Sequence, residues 1–268
     1  MKFAAKYILL ILAIALFSNC KMNDEKESDE IETENWISLF NGKDLTDWTP
    51  KINGYELGNN YNNTFRVENN LLKVSYDGYE NFSNEYGHLF YKAPFTNYKL
   101  RLEYRFVGEQ ANGGASWAEK NSGIMIHCQS PETMLVGQGF PISLEVQLLG
   151  GVNENALRPS GNLCTPGTHV EMNGALVTDH CISSDSKTYY GEEWITAMVT
   201  VNKDSITHYL DGKSVISYSN PTIGGQFLDS TSEEIQAKDG QPLTGGYISL
   251  QSESHPIEFR NIEILELK

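Results

Sequence analysis

The sequence predicts an all-β fold, either a sandwich or a barrel. Short segments of alternating apolar and polar residues recur along the chain, glycine, asparagine and proline separate them, and no helical period persists. Successive side chains of a strand point to opposite faces, so such segments have one buried and one polar face. Sandwiches and barrels often contain about 200–250 residues in one domain. We therefore predict a single domain over residues 36–268.

The N-terminus is set apart from this domain. Residues 1–6 carry two lysines, residues 7–17 are an unbroken apolar run, and Cys20 follows a serine and an asparagine. The run is shorter than the roughly 20 apolar residues that cross a bilayer, and its order is typical of a secretory signal. The cysteine resembles the one in a bacterial lipoprotein cleavage site. We predict a signal peptide over residues 1–19 and lipidation at Cys20; an ordinary signal with an incidental cysteine is the alternative.

Residues 20–35 are polar and acidic, and they predict a flexible tether because they cannot offset their ordering entropy. The formal net charge of the chain is −15. An acidic protein is repelled by nucleic acids and anionic lipid surfaces, so neither is expected as a partner. The predicted location is outside the cytoplasm, on a membrane held only through the lipid anchor, facing the periplasm or the cell surface.

The strands follow in order. Residues 65–68 and 71–74 flank Asn69-Asn70 and predict a tight hairpin. Residues 98–106 place four apolar side chains on one face and four charged ones on the other. A meander and two closing strands are predicted at residues 194–202, 205–210, 214–218, 247–251 and 257–265, with Asp211-Gly212 at the last turn of the meander. Between them, only a short helix near residues 227–237 is suggested.

Two further strands carry the candidate chemistry, residues 124–128 and 142–148. Alternation divides their side chains between a core face (Ile124, Ile126, Cys128, Ile142, Leu144, Val146 and Leu148) and a second face (Met125, His127, Gln129, Ser143, Glu145 and Gln147). If the strands share a sheet, His127, Glu145 and Gln147 line one polar surface, which predicts a groove of the size of a sugar. The alternative is that Glu145 and Gln147 are ordinary solvent-facing residues and His127 is structural.

Other motifs refine this interpretation. Residues 111–114 predict a mobile loop that delivers Trp117, which could stack on a sugar ring or simply pack. His127 and Cys128 are adjacent, so on a strand they cannot chelate one ion, and no zinc-site spacing occurs. A divalent cation held by carboxylate and amide oxygens stays open. The sequence has no phosphate-binding glycine-rich loop before a helix and no Gly-x-Ser-x-Gly motif.

The cysteines predict one disulfide. Export permits disulfides, and Cys164 and Cys181 lie in a loop-rich stretch. We favour the pairing of these two, with Cys128 as a free buried thiol. The sequence leaves open a pairing of Cys128 with either of them.

Several motifs in one order resemble the 3-keto-disaccharide hydrolase family over nearly all of residues 36–267. These motifs are Trp36 to Leu45 with Trp48, Tyr98 to Phe106, Asn121-Ser122-Gly123-Ile124, Glu145-Val146-Gln147, Gly191-Glu192-Glu193-Trp194 and Phe259-Arg260-Asn261-Ile262. Other segments are similar to a secreted bacterial lipoprotein subgroup of that family, at residues 127–131, 158–162, 164–168 and 180–181.

The resemblance implies a concanavalin A-like two-sheet antiparallel sandwich (a jelly roll) and an activity on 3-keto-glucosides. The ketone at C3 acidifies the C2 hydrogen, a base removes it, the C1 substituent leaves, and water then adds, so the net result is hydrolysis. Glu145 and His127 are the catalytic candidates, one as the base. The other would stabilise the enolate oxygen with Arg105, Gln147 or a cation. The substrate-binding candidates are Arg105, Trp117, Asn121 and Gln147. A sugar 3-dehydrogenase is the partner expected upstream.

Two alternatives stay open. A conventional glycoside hydrolase needs two carboxyls, and Gln147 occupies the position where a second acid would follow Glu145 on the strand. Glu103 or Glu85 could supply that acid. A glycan-binding lipoprotein without catalysis would need aromatic side chains on its groove and no base.

Overall fold

Two antiparallel β-sheets pack face to face across a shared apolar core. The computed structural model describes residues 34–154 and 156–268. The predicted signal peptide, Cys20 and most of the tether lie outside these residues. Within the described part of the chain, no helix is long and apolar enough to cross a membrane.

The strands, in chain order, are β1 (Ile37–Ser38), β2 (Trp48–Ile52), β3 (Phe65–Glu68), β4 (Leu71–Val74), β5 (Gly87–Tyr91), β6 (Tyr98–Phe106), β7 (Asn121–Cys128), β8 (Leu144–Leu149), β9 (Asn162–Cys164), β10 (Thr168–Met172), β11 (Ala175–Val177), β12 (Cys181–Ile182), β13 (Ile195–Asn202), β14 (Ser205–Leu210), β15 (Lys213–Ile223), β16 (Tyr247–Ser252) and β17 (Ile257–Glu266). A short helix, α1 (Glu233–Gln236), and four 3-10 turns (Tyr61–Asn63, Ser116–Ala118, Pro131–Thr133 and Leu228–Ser230) complete the described secondary structure.

The strands form two sheets, a larger and a smaller one. The larger sheet has the order β11-β10-β15-β14-β13-β6-β17-β4-β3, with β1 paired to β17. The smaller sheet has the order β12-β9-β8-β7-β16-β5-β2. Every described pairing is antiparallel, so the predicted two-sheet sandwich is confirmed.

Alternation places the core between the sheets. In β6, Leu100, Leu102, Tyr104 and Phe106 are buried, while the charged residues between them are partly exposed, as predicted. They join Ile124, Ile126, Leu144, Val146 and Leu148 of the smaller sheet in one apolar cluster. Ile142 departs from its prediction, because it lies before β8 and packs with Ile223, Leu228 and Ile235 in a separate cluster near α1.

The predicted turns are present where asparagine, aspartate or glycine tolerates a left-handed backbone. Asn69 and Asn70 have φ angles of 53° and 61° between β3 and β4, as a tight hairpin requires. The meander of β13, β14 and β15 is also present, although β15 extends to Ile223. The suggested helix near residues 227–237 is reduced to α1, which begins after the capping side chain of Ser232.

One prediction of alternation is wrong, at His127. The φ angle of His127 is 52°, and the pairing of β7 with β16 shifts there, with Tyr247 opposite Cys128 but Ser249 opposite Met125. Two residues of β7 therefore face one of β16, which defines a β-bulge and reverses the alternation beyond it. Cys128 joins Met125 on the outer side of the sheet.

The bulge sends the His127 side chain into the sandwich. Its ring is fully buried and lies edge-on to Tyr98 of the larger sheet, with 6.3 Å between ring centroids. Gly246 makes the bulge possible, because a Cβ there would come within 2.5 Å of the Cys128 carbonyl oxygen. His127 and Glu145 therefore do not share a surface.

Candidate active site

The outer face of the smaller sheet, directed away from the core, carries polar side chains that are nevertheless buried. A cleft of about 370 Å³ lies over this face, within the range of small-ligand pockets. It is lined by Trp117, Asn121, Phe140, Glu145, Gln147, Cys164, Pro166, His180, Cys181, Phe227 and Glu253. Four sequence-predicted site residues, Trp117, Asn121, Glu145 and Gln147, are thus brought together.

Glu145 lines this cleft from β8. It is opposite Met125 on β7 and Cys164 on β9, and only 6% of it is exposed. Its carboxylate extends across Gly123, since a Cβ on that glycine would stand 2.6 Å from Glu145 Oε1. Oε1 has no hydrogen-bond partner among the described residues. A buried oxygen without a partner is costly, so it is a natural place for a ligand.

A second buried carboxyl, Glu253, was missed by the sequence analysis. It follows β16 and continues the outer face after Ser249 and Gln251. Its Oε2 also lacks a hydrogen-bond partner in the described chain. The sequence contained a signal for this residue. Glu253 lies two residues after Gln251, and residues two apart along a strand point to the same face.

The two carboxyls perturb each other. Burial, and then the nearby charge of Glu253, raise the pKa of Glu145 well above its usual range. Burial raises the pKa of Glu253 to about 8, although the Arg158 guanidinium acts to lower it. Two carboxyls in one desolvated cleft resist ionising together. We therefore expect the pair to hold at least one proton at neutral pH.

Arg158 also fixes the wall of the cleft. Its guanidinium donates to the carbonyl oxygens of Gly150 at 2.7 Å, Lys120 at 3.1 Å and Trp117 at 3.0 Å. Trp117 is half exposed and stacks on Tyr86, with 5.9 Å between ring centroids. An amphipathic ring in this position suits contact with the apolar face of a sugar.

Two amides, Asn121 and Gln147, complete the polar lining. Asn121 is buried, and its Oδ1 has no partner among the described residues. Gln147 Oε1 accepts a hydrogen bond from Asn162 Nδ2 at 3.0 Å. This bond uses the oxygen of the Gln147 amide, which leaves its NH₂ group as the donor offered to the cleft.

The Cys164–Cys181 disulfide borders the same cleft. It joins β9 to the two-residue strand β12, and it is the pairing that the sequence analysis favoured. Cys128 is a buried free thiol. The disulfide therefore holds an edge strand, with the neighbouring His180, against the strand beside Glu145.

Two candidate residues do not belong to this site, and one of them is Arg105. It lies on the outer face of the larger sheet, across the core from the cleft. There it pairs with Glu258 at 2.6 Å, and its guanidinium carbon lies 4.6 Å from the centre of the Trp194 ring. Arg105 therefore does not line this cleft, because a strand of the opposite sheet carries it. His127 is excluded by the bulge in β7.

The second acids considered in the sequence analysis are also elsewhere. Glu103 pairs with Arg260 on the larger sheet. Glu85 accepts a hydrogen bond from the Ser83 backbone N–H and does not line the cleft. No group of three histidine, cysteine, aspartate or glutamate side chains that could hold a metal ion occurs in residues 34–154 and 156–268.

The two antiparallel sheets form a sandwich of the concanavalin A-like class, and the buried carboxyls and aromatic rings of the cleft are groups that suit a sugar ligand. The chain belongs to the family of 3-keto-α-glucoside 1,2-lyase-like domains, whose model matches residues 35–265. The family resemblance of the sequence is confirmed, and membership makes the protein a carbohydrate-active enzyme.

Solved structures agree on the fold. Two proteins of Parabacteroides distasonis, provisionally described as glycosyl hydrolases, match this chain. The first is 21% identical with a TM-score of 0.53, and the match covers 90% of this chain and 98% of that one. The second is 20% identical with a TM-score of 0.50, covering 87% and 100% respectively. None of the curated protein sequences matches the chain.

Proposed function

We propose that the protein cleaves 3-keto-glucosides by elimination across C1–C2 and then hydrates the product. The observation that carries this proposal is the pair of buried carboxyls, Glu145 and Glu253, in one cleft. Elimination needs a base at the C2 hydrogen and an acid at the leaving oxygen, and a pair that retains one proton supplies both.

The electrostatics favour one division of roles. Arg158 lowers the pKa of Glu253, whereas the charge of Glu253 raises the pKa of Glu145. The shared proton therefore favours Glu145. Glu253 is the proposed base, acting through the fraction that is ionised as the pH approaches its pKa of about 8, and Glu145 is the proposed proton donor.

The reaction balances with these two groups. Glu253 takes the C2 proton, and the electron pair moves into an enolate with its charge on the C3 oxygen. The C1–O bond breaks as C1=C2 forms, and Glu145 protonates the leaving oxygen. The Gln147 NH₂ group stabilises the enolate oxygen as a neutral donor. Water then adds at C1 while C2 regains a proton, so the net change is hydrolysis. A reaction that oxidises a C3 hydroxyl must supply the substrate.

Incubation with methyl 3-keto-glucoside and with its unoxidised parent tests this proposal. We expect a 2-hydroxy-3-keto-glucal intermediate from the keto-sugar and no turnover of the parent. Glu145→Gln and Glu253→Gln should each lower the rate at least about 10²-fold, since general acid–base groups contribute about 10²–10⁴-fold. Arg105→Met is the matched control, because it removes a charge outside the cleft. A Glu145→Gln enzyme with full activity would refute the site assignment.

The same carboxyl pair also favours a second candidate, a conventional glycoside hydrolase. Such an enzyme uses one carboxyl as the acid and the other as the base or nucleophile. Its signature would be cleavage of the unoxidised glucoside without a glucal intermediate. The two substrates therefore separate the candidates in one experiment.

A further inference from the structure

We propose that Gln251 and His88 form a hydroxyl-binding subsite that holds a polyhydroxylated leaving group beside the carboxyl pair. This inference rests on the proposed function, because it assigns the group that departs from C1. Neither residue is needed for the elimination chemistry, and both lie on the sheet that carries Glu145.

The register places the two side chains in line with the reacting carboxyls. Gln251 of β16 is opposite His88 of β5, and the pairing of Leu250 with Ile124 puts Gln251 beside Gly123 of β7. The Glu145 carboxylate lies across that glycine. Leu250 and Leu89 belong to the core, so their neighbours Gln251 and His88 share the outer face of the sheet with Glu145.

The distances along this row suit a second ring. Neighbouring strands lie about 4.8 Å apart. Gln251 is therefore one strand from the position above Gly123, and His88 is two strands away, roughly 10 Å. Neither residue lines the cleft itself, which extends over β8, β9 and β12, so a second ring on this side has to open a space over Gln251 and His88.

Four polar atoms of these side chains have no protein partner. Gln251 and His88 are completely buried, and the side-chain nitrogen and oxygen of Gln251 and both ring nitrogens of His88 lack hydrogen bonds to described residues. Lys51, opposite His88 on β2, donates instead to the carbonyl oxygens of Ile52 and Val136. Buried polar groups in proteins are nearly always hydrogen-bonded to protein or water, so these four atoms are available to a ligand.

The chemistry of the four atoms matches hydroxyl groups. Burial, and then the charge of Lys51, lower the pKa of His88 to about 3, so the ring is neutral and offers one donor and one acceptor. The Gln251 amide also offers both. A sugar hydroxyl donates and accepts, whereas a phosphate or carboxylate would leave the acceptor atoms unpaired.

Phe140 separates His88 from the open part of the cleft. Its ring lines the cleft and lies edge-on to His88, with 5.9 Å between ring centroids. A ligand that reaches His88 must turn this ring aside. The neighbouring Gly139 has no other atom within 4 Å of its Cβ position, so the backbone before Phe140 is uncrowded.

The test uses Gln251→Met and His88→Phe, which keep much of the shape and remove the polar atoms. The probes are 3-keto-maltose, with a sugar leaving group, and methyl 3-keto-α-glucoside, without one. We expect each variant to lower the kcat/KM ratio of the first probe to the second at least about tenfold, the value of one to two hydrogen bonds. The melting temperature of the free variants should stay the same or rise, because unpaired buried atoms are removed. Gln236→Met, outside the cleft, is the matched control and should keep the ratio.

Binding of unoxidised maltose, measured by calorimetry, separates this inference from the proposed function. If neither keto-sugar is turned over but Gln251→Met abolishes maltose binding, the proposed function fails and the subsite stands. Variants that melt earlier and keep the kcat/KM ratio would overturn the subsite, because the polar atoms would then be structural and satisfied by water. Equal losses on both probes would also overturn it, since Gln251 would then serve the reacting ring.

Discussion

Glu253 shows how strongly the surroundings of a residue can change its pKa. A glutamate ionises near pH 4.5 in water, but this one sits in a cleft with a second carboxyl, and burial raises its pKa to about 8. The folded state therefore favours the protonated form at pH values where the unfolded chain is ionised. This difference links the stability of the protein to pH.

The linkage predicts an effect of Glu253→Gln on stability. When the pKa of a carboxyl is raised in the folded state, the group stabilises that state fully at pH values below its pKa in the unfolded chain. This stabilisation is lost as the pH rises to the pKa of the group in the folded state. The melting temperature of the wild type should therefore fall relative to that of Glu253→Gln between pH 5 and pH 8. The buried histidines are shared by both proteins, so their titration cancels in the difference. Parallel melting curves across this range would show that Glu253 is not perturbed.

Gly123→Ala is predicted to impair catalysis through Glu145 while preserving the fold. A Cβ at position 123 would stand 2.6 Å from Glu145 Oε1 and 2.7 Å from its Cγ, so the carboxylate must move. A misplacement of about 1 Å can cost about 10²-fold in rate, and we expect a loss of that order in kcat. A double-mutant cycle provides the check, because Gly123→Ala should have little further effect in a Glu145→Gln background. Additive losses would contradict the mechanism.

At the scale of elements, one inserted residue decides which side chains can cooperate. Strict alternation in β7 would place His127 beside Glu145, but the bulge turns it into the core toward Tyr98. β16 supplies Gln251 on the outer face and leads directly to Glu253. The chemistry of the cleft thus depends on β8 and β16 on either side of β7.

The Cys164–Cys181 disulfide also acts at the scale of elements, because it joins β9 to the edge strand β12. Its removal should destabilise this edge of the smaller sheet. Cys164 and Cys181 are separated by 17 positions, and closing a loop of about 15 residues stabilises by about 3 kcal/mol in the chain-entropy model. We expect the double substitution Cys164→Ser/Cys181→Ser to lower the melting temperature by about 6–12 °C. Calorimetry with and without reductant measures this effect. The reductant should lower the melting temperature of the wild type and leave that of the double variant unchanged.

At the scale of the molecule, the two sheets differ in the side chains that their outer faces carry. The outer face of the larger sheet carries ion pairs and cation–π contacts, such as Arg105 with Glu258 and Arg260 over Trp194. The outer face of the smaller sheet carries unpaired buried groups. Paired charges stabilise a surface modestly, whereas unpaired groups cost stability and are retained where a ligand completes them.

The predicted lipid anchor at Cys20 also concerns the molecule as a whole. We propose that Cys20 is lipidated and that residues 20–35 hold the domain away from the membrane. Cys20→Ala should then release the protein from the membrane fraction into the soluble periplasm. Fractionation of cells that express both forms measures this outcome. Unchanged membrane association of the variant would disprove the anchor.

The sequence by itself determined the all-β class, most strand positions, the hairpin turns, the family and one carboxyl of the candidate site, Glu145. These features depend on local properties: a period of two, residues that tolerate positive φ, and motifs in a fixed order. Only the tertiary structure decided which side chains meet. It placed His127 in the core through a bulge and Arg105 on the opposite sheet, it brought Glu253 into the cleft, and it set Gln251 opposite His88 on the same sheet. The physical reason is that bulges, sheet membership and register are set by pairing between distant strands, which the pattern within one strand does not encode.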